Sequence, residues 1–324
     1  MTEWTLSRAL NEALRDSLRD DDRVLVFGED VGVSGGVFRV TDGLQAEFGD
    51  RRVFDTPISE AAIVGSAVGL AFAGWRPVVE LQFDAFSYPA FEQIVDHVAK
   101  MRMRTRGRVD MPITIRIPSF GGIKGKEHHG ESPETYYAHT AGLKVVVPST
   151  PLDGYALLRH AIADPDPVVV LEPKARYWSK ESGDLTVDAP GIGVGRILRD
   201  GTDVTLVAYG SMVARVAAAA EQLADAGIEA RVVDLRSLSP LDDDLLRRSA
   251  EQTGRVVVVH EAPRHAGFGA EVAARTMELA FDSLAAPIAR VTGWDTPYPP
   301  ASLEDGYLPS VDRIVAVTKE TVAY

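Results

Sequence analysis

The chain has 324 residues, of which 45% are hydrophobic and 25% charged, and a net charge of −13; this is ordinary globular composition, long enough for two cores of domain size. Such acidity, with no Lys/Arg cluster to track phosphates, excludes a nucleic-acid partner. The absence of cysteine excludes disulfides, thiolate metal sites, cysteine nucleophiles and cysteine-held iron–sulfur clusters, and leaves the redox compartment open.

Thr5 can cap a helix over 6–18 whose Leu6, Ala9, Leu10, Ala13, Leu14 and Leu18 share one face. No secretory signal precedes it. A buried strand over 24–27 ends at Gly28-Glu29-Asp30, and a second strand over 52–55 ends at Asp55, where Pro57 breaks it. Behind Glu60 a helix over 61–71 carries no charge on any face, so it is expected inside the protein or at an interface. Burial would raise the pKa of Glu60, although the helix N-terminus pulls the other way; a solvent-facing N-terminal carboxylate is the plainer alternative. The apolar stretch over 61–74 is short of the roughly 20 residues that span a bilayer, so the chain is expected to be soluble and cytoplasmic, with no membrane partner. Strands over 77–81, 113–116, 144–147 and 168–171 follow, and the basic run 100–108 reads as the solvated end of a helix.

At 182–195 the chain turns Gly-, Pro- and Asp-rich and reads as a linker. Alternation then restarts with a strand over 204–208, an Ala-rich helix over 214–226, a strand over 230–234, a helix over 241–251 and a strand over 256–259. Continuous apolar strands between helices indicate parallel sheets covered on both faces. The fold class is α/β in two domains, expected at 1–185 and 186–324, the second smaller.

In open α/β sheets the working residues leave the carboxyl ends of strands. Four loops qualify: Gly28-Glu29-Asp30-Val31, the segment holding Glu60, Gln82-Phe83-Asp84-Ala85-Phe86, and Ser119-Phe120-Gly121-Gly122 leading into Lys126-Glu127-His128-His129-Gly130-Glu131. Two carboxylates, aromatic rings and a histidine would converge on one edge, which suits an organic cofactor better than a metal. His128-His129 flanked by Glu127 and Glu131 is a weak metal candidate, because neighbours on an extended chain point to opposite sides. Gly191-Ile192-Gly193-Val194-Gly195 has neither the strand nor the spacing of a dinucleotide fingerprint, and Phe268-Gly269-Ala270-Glu271 is better placed but equally incomplete. Taken singly, Phe86 would be core packing and a lone loop histidine a surface hydrogen-bonder.

Taken in order, Gly28-Glu29-Asp30-Val31, Asp55-Thr56-Pro57-Ile58-Ser59-Glu60, Pro89-Ala90-Phe91-Glu92-Gln93-Ile94, His129-Gly130-Glu131-Ser132-Pro133-Glu134, Val147-Pro148-Ser149 and Leu171-Glu172-Pro173-Lys174 decide the matter. From Leu6 onward the sequence resembles the beta subunit of the thiamine-diphosphate-dependent, decarboxylating component of 2-oxo acid dehydrogenase complexes. It most resembles the branched-chain members, through His129 to Glu134 followed by Tyr136-Tyr137-Ala138-His139, and through Lys174-Ala175-Arg176-Tyr177. Pyruvate and acetoin members share most other motifs.

The resemblance implies a transketolase-like pyrimidine-binding domain followed by a C-terminal α/β domain. It implies that Glu60 hydrogen-bonds N1′ of the aminopyrimidine, favouring the imino tautomer, and that Glu29 is a second acid coupling two active sites. Phe86, where many branched-chain members have tyrosine, would lie against the aminopyrimidine, and Ile58 would join these cofactor contacts. His129 would give a proton to the lipoyl dithiolane during reductive acylation. Potassium is implied at the turn of Ala161, Asp164 and Asp166, the last departing from the usual asparagine. The family's Gly-Asp-Gly to Asn-Asn clamp for diphosphate and magnesium is missing, and the only asparagine is Asn11. The resemblance therefore implies an alpha subunit that holds magnesium and the diphosphate, in an α2β2 heterotetramer. The small residues Gly65, Ser66, Ala67 and Gly69 suit close helix approach there. It also implies docking on a lipoyl transacylase core through the C-terminal domain, which includes Gly293-Trp294-Asp295-Thr296-Pro297-Tyr298-Pro299. The implied reaction is oxidative decarboxylation of a branched-chain 2-oxo acid. A nucleotide-dependent dehydrogenase, revived by NADH binding, and a non-catalytic scaffold, excluded by loss of activity on Glu60→Ala, are the competing readings.

Overall fold

The computed structural model describes residues 2–126 and 128–324. In chain order its first strands are β1 (Glu3–Thr5), β2 (Val24–Gly28), β3 (Val53–Asp55), β4 (Arg76–Glu80), β5 (Thr114–Ser119), β6 (Lys144–Val146), β7 (Val168–Pro173) and β8 (Lys180–Ser182). The later strands are β9 (Arg196–Arg199), β10 (Val204–Ala208), β11 (Ala230–Asp234), β12 (Ser237–Ser239), β13 (Val256–Pro263) and β14 (Ala289–Gly293). They form a seven-stranded sheet of order β12-β6-β7-β5-β4-β2-β3, a five-stranded sheet of order β14-β13-β10-β11-β9, and an antiparallel β1-β8 ribbon.

Both larger sheets are parallel except for one antiparallel edge each, β12 on β6 and β9 on β11. Every residue of β2, β5, β7, β10 and β11 is buried, as the uninterrupted apolar runs require when helices cover both faces. The helix Leu6–Asp20 is capped by Thr5, whose side chain accepts the Arg8 N–H. Its apolar face packs on the helix Pro151–Ala163, where a Cβ on Gly154 would stand 2.3 Å from Leu6 Cδ1. One apolar cluster is continuous across both sheets, joining Val145, Val169 and Tyr137 to Val207, Val233 and Phe268.

One feature departs from the sequence reading, and a second bears on the alternatives it left open. Strand β12, at residues 237–239, belongs to the second half of the chain yet completes the edge of the first sheet; with only Ser237-Leu238-Ser239 it has no periodicity to read. The helix Glu60–Phe72 is not enclosed by this chain, for Ile63, Val64, Ala67 and Ala71 are buried while Ala62, Ser66, Gly69 and Phe72 are exposed. Among the described residues no helix is long and apolar enough to cross a membrane.

Candidate active site

β3, β2, β4 and β5 are parallel neighbours, so the loops leaving their carboxyl ends share one edge. Glu29, directly after β2, is 8% exposed, and its Oε1 has no hydrogen-bond partner. Burial raises its carboxyl pKa, and the charges of Glu60 and Asp30 raise it further. Glu60 opens its helix beyond β3, the outermost strand of the sheet, and is only half-buried. The buried acid of the pair is therefore Glu29, because no further strand covers the Glu60 side of the sheet. Ile58, on the same loop, is 84% exposed and takes no part in the ring cluster described next.

His129 comes to this edge from the β5 side. Its ring packs edge-on against Phe83 with centroids 4.3 Å apart and against Phe86 at 5.3 Å. Phe83 meets Phe86 at 5.5 Å and Phe38 at 5.6 Å. His128 is exposed, with φ +72°; Glu127 lies outside the described residues. Glu131 accepts a hydrogen bond from the Tyr88 hydroxyl at 2.9 Å. The arrangement thus brings together Glu29, Glu60, Phe86 and His129, and leaves Ile58 on the rim.

A layer of buried charge lies beneath. Arg116 donates from Nε and Nη2 to Glu172 at 2.7 and 2.9 Å and from Nη1 to Glu80 at 2.5 Å. The Tyr177 hydroxyl donates to Glu172 at 2.7 Å. Lys174 donates to Asp84 and lies 5.9 Å from the Phe83 ring centroid. Asp84 also accepts the backbone N–H groups of Ala85 and Glu131, each at 3.0 Å. One fully buried carboxylate therefore fixes the turn bearing Phe86, the return from His129 and a lysine 90 positions away. Sequence reasoning quoted Phe83, Asp84 and Lys174 only within loops and motifs and passed over Phe38; the Gln82 to Phe86 loop and the Glu172-Pro173-Lys174 run were the signals that pointed here.

The donor set fits the aminopyrimidine half of thiamine diphosphate: a buried carboxyl with an unpartnered oxygen, a second carboxyl within electrostatic reach, and flat rings on loops of the same sheet edge. The potassium turn does not fit. Both carboxylate oxygens of Asp164 accept from Lys144 Nζ at 2.7 Å, and Asp166 accepts from Arg102 at 2.8 Å. Arg76 donates to the carbonyls of Ile162 and Asp164 at 2.9 and 3.3 Å, and the Ala161 carbonyl accepts the Asp164 N–H at 3.3 Å. Side-chain cations from Lys144, Arg102 and Arg76 thus pair with the carboxylates of Asp164 and Asp166 and with the Asp164 carbonyl, oxygens that a monovalent ion would otherwise use. Elsewhere among the described residues, Glu92, Asp96 and His97 lie close enough to share an ion, but Asp96 is already paired with Lys100 and Arg104.

Comparison with known proteins agrees with this geometry. Residues 2–179 match the transketolase pyrimidine binding domain family, and residues 193–314 match the transketolase C-terminal domain family. The chain is 58% identical to the 3-methyl-2-oxobutanoate dehydrogenase subunit beta of Mycobacterium tuberculosis over 314 residues, covering 96% of this chain and 90% of that one. It is 53% identical to the pyruvate dehydrogenase E1 component subunit beta of Leifsonia xyli over 317 residues, covering 98% and 94%. A solved split gene transketolase, in an inactive beta4 tetramer, superposes with a TM-score of 0.80 at 25% identity, covering 98% of each chain. With two transketolase-type domains in tandem and close likeness along nearly its whole length to E1 beta chains, this protein belongs to the family of 2-oxo acid dehydrogenase beta subunits.

Proposed function

We propose that this chain, with an alpha subunit, carries out thiamine-diphosphate-dependent oxidative decarboxylation of a branched-chain 2-oxo acid of the 3-methyl-2-oxobutanoate type, and passes the acyl group to the lipoyl group of a transacylase. The observation that carries the reading is the meeting of Glu29, with its unpartnered Oε1, and Glu60 on the edge where the His129 ring packs against Phe83 and Phe86. The bound cofactor supplies the carbon nucleophile and the electron sink that decarboxylation needs. Glu60 hydrogen-bonds the aminopyrimidine ring nitrogen and so sets its tautomer. Glu29, whose carboxyl pKa is raised by burial and by the charge of Glu60, fills the second acid position. Phe86 walls the ring, Ile58 closes the rim once a partner covers it, and His129 delivers a proton to the opening lipoyl disulfide.

With no Gly-Asp-Gly segment and a single asparagine, Asn11, the chain leaves the diphosphate and magnesium to the alpha subunit, in an α2β2 assembly. The exposed small-residue face of the helix Glu60–Phe72 offers that partner a close approach. The pyrimidine-binding unit is assigned to residues 1–185 and the C-terminal unit to 186–324, the latter as the docking region for the transacylase core. A branched-chain substrate is favoured by 58% identity to a 3-methyl-2-oxobutanoate enzyme against 53% to a pyruvate enzyme; pyruvate and acetoin are the alternatives.

The test is decarboxylation of 3-methyl-2-oxobutanoate and of pyruvate by the heterotetramer, beside a Glu60→Gln control. Branched-chain turnover that falls by roughly a hundredfold or more in the control supports the reading, since general acid–base groups contribute on that scale. Preference for pyruvate would move the protein to a sister complex, and a control as active as the parent would remove Glu60 from the mechanism.

A further inference from the structure

The C-terminal sequence Trp294 to Tyr298 points inward at one residue. Trp294 Nε1 donates to the Gly306 carbonyl and Asp295 accepts the His265 N–H, but the Tyr298 ring leaves this segment and enters the loop that carries His129. A Cβ built on Gly121 would stand 2.0 Å from Tyr298 Oη, and one on Gly130 would stand 2.3 Å from Tyr298 Cε1. Neither glycine has a positive φ. Their backbones could accept an L side chain, so it is the tyrosine ring, seated between the outgoing and returning strands of the loop, that demands glycine at both places.

The ring is itself held. Tyr298 donates to Glu304 Oε2 at 2.7 Å, and both oxygens of that buried glutamate receive the Lys124 N–H at 3.1 Å. Glu261, also buried, receives the Gly121 N–H at 2.8 Å. At the neck of the loop, Phe120 N–H bonds to the Glu131 carbonyl at 3.0 Å. Phe120, Lys124 and His128 all have positive φ, at +71°, +54° and +72°. Non-glycine residues persist in that region only where their surroundings over-determine the backbone. At Phe120 and Lys124 the second domain supplies those surroundings, through the Tyr209 ring and Glu304.

We propose that Tyr298 and Glu304 are positioning residues for His129: the C-terminal domain clamps the loop so that the imidazole stays against Phe83 and Phe86. The inference rests on the lipoyl role assigned to His129. Tyr298 lies in the other domain and bears on the His129 loop through the backbone at 121 and 130 and, by way of Glu304, at 124.

The test uses the assembled heterotetramer and two rates: 2-oxo acid oxidation with a soluble dye as electron acceptor, and acylation of a free lipoyl domain. Tyr298→Ala should lower lipoyl acylation at least about tenfold while the dye-linked rate stays within about threefold, since small misplacements of a reacting group cost rate steeply. Tyr298→Phe, which keeps the ring, should recover most of the loss, and Gly130→Ala, which pushes on the ring from the other side, should reproduce it. Hydrogen exchange at the amides of Gly121 and Lys124 should accelerate in Tyr298→Ala and not in His129→Ala. Unchanged exchange in Tyr298→Ala, or equal loss of both rates, would overturn the clamp. Full lipoyl acylation by His129→Ala, with exchange still accelerated in Tyr298→Ala, would instead overturn the role of His129 and leave the clamp as a fact of the loop alone.

Discussion

The two parallel sheets obey the same rules and are filled differently. The central strands of the C-terminal sheet are almost wholly apolar, Val204-Thr205-Leu206-Val207-Ala208 beside Val256-Val257-Val258-Val259. Buried carboxylates there sit towards the carboxyl ends of strands, at Asp234 of β11 and Glu261 of β13, while Arg231 reaches Asp200, whose side chain is 80% exposed. The first sheet instead threads Glu80, Arg116 and Glu172 through its three central strands and pairs them with one another, all three buried. Burying charge is expensive unless it is fully paired. The sheet that carries the site accepts that cost under the carboxyl ends of its strands, where Asp84 and Lys174 then fix Phe86 and the return from His129.

The sharpest way to break this comparison is one substitution in each sheet. Arg116→Met leaves two buried carboxylates unpaired and should cost about 3–5 kcal/mol in chemical denaturation. A cost below about 1 kcal/mol would mean that the charged layer is not a constraint on the first sheet.

Glu134 lies where the two halves meet and accepts the Tyr209 hydroxyl at 2.7 Å. Burial pushes its pKa up to about 7, against the lowering effect of that hydrogen bond. Its folded-state pKa is thus above the unfolded value near 4.5, so between about pH 4.5 and 7 the folded protein holds a proton that the unfolded chain has lost. Stability from this group falls as pH rises through that window, by roughly 3 kcal/mol in total, and is flat above it. Glu134→Gln should flatten the slope of stability against pH between 5 and 7 and raise the unfolding midpoint at pH 8. An unchanged slope would locate the titration elsewhere.

Arg231→Met is the counterpart of Arg116→Met in the other sheet. Because its carboxylate partner is solvated, the loss should stay under about 1 kcal/mol. A loss equal to that of Arg116→Met would erase the distinction between the sheets. The smallest expected effect concerns the turn of Asp164 and Asp166, which Lys144, Arg102 and Arg76 already neutralise. Replacing sodium by potassium at constant ionic strength should leave the melting temperature unchanged, because an ion that does not bind the native state cannot stabilise it. A potassium-specific rise would show that the ion displaces those side chains.

Much of the architecture was legible from the chain alone. Strands such as Val204–Ala208 and Ala230–Asp234 fall where apolar runs predict them, because a buried parallel strand writes its burial into every residue. Phe86 and His129 were legible through motif order, while Phe83, nearer to His129, was named only as part of its loop and Phe38 not at all. A phenylalanine in a loop carries no local mark of what it will touch. Ser237-Leu238-Ser239 was equally silent, since so short an edge strand is specified by its neighbour on β6.

The sequence by itself determined the order of helices and strands and the family, since each is written in periodicity or in motifs present in a fixed order. Only the tertiary structure decided that Glu29 rather than Glu60 is the buried acid, that Asp84 meets Lys174, that side-chain cations fill the Asp164 turn, and that Tyr298 enters the His129 loop. These are contacts between residues tens to more than a hundred positions apart, and the burial that fixes their chemistry exists only once both sheets are packed.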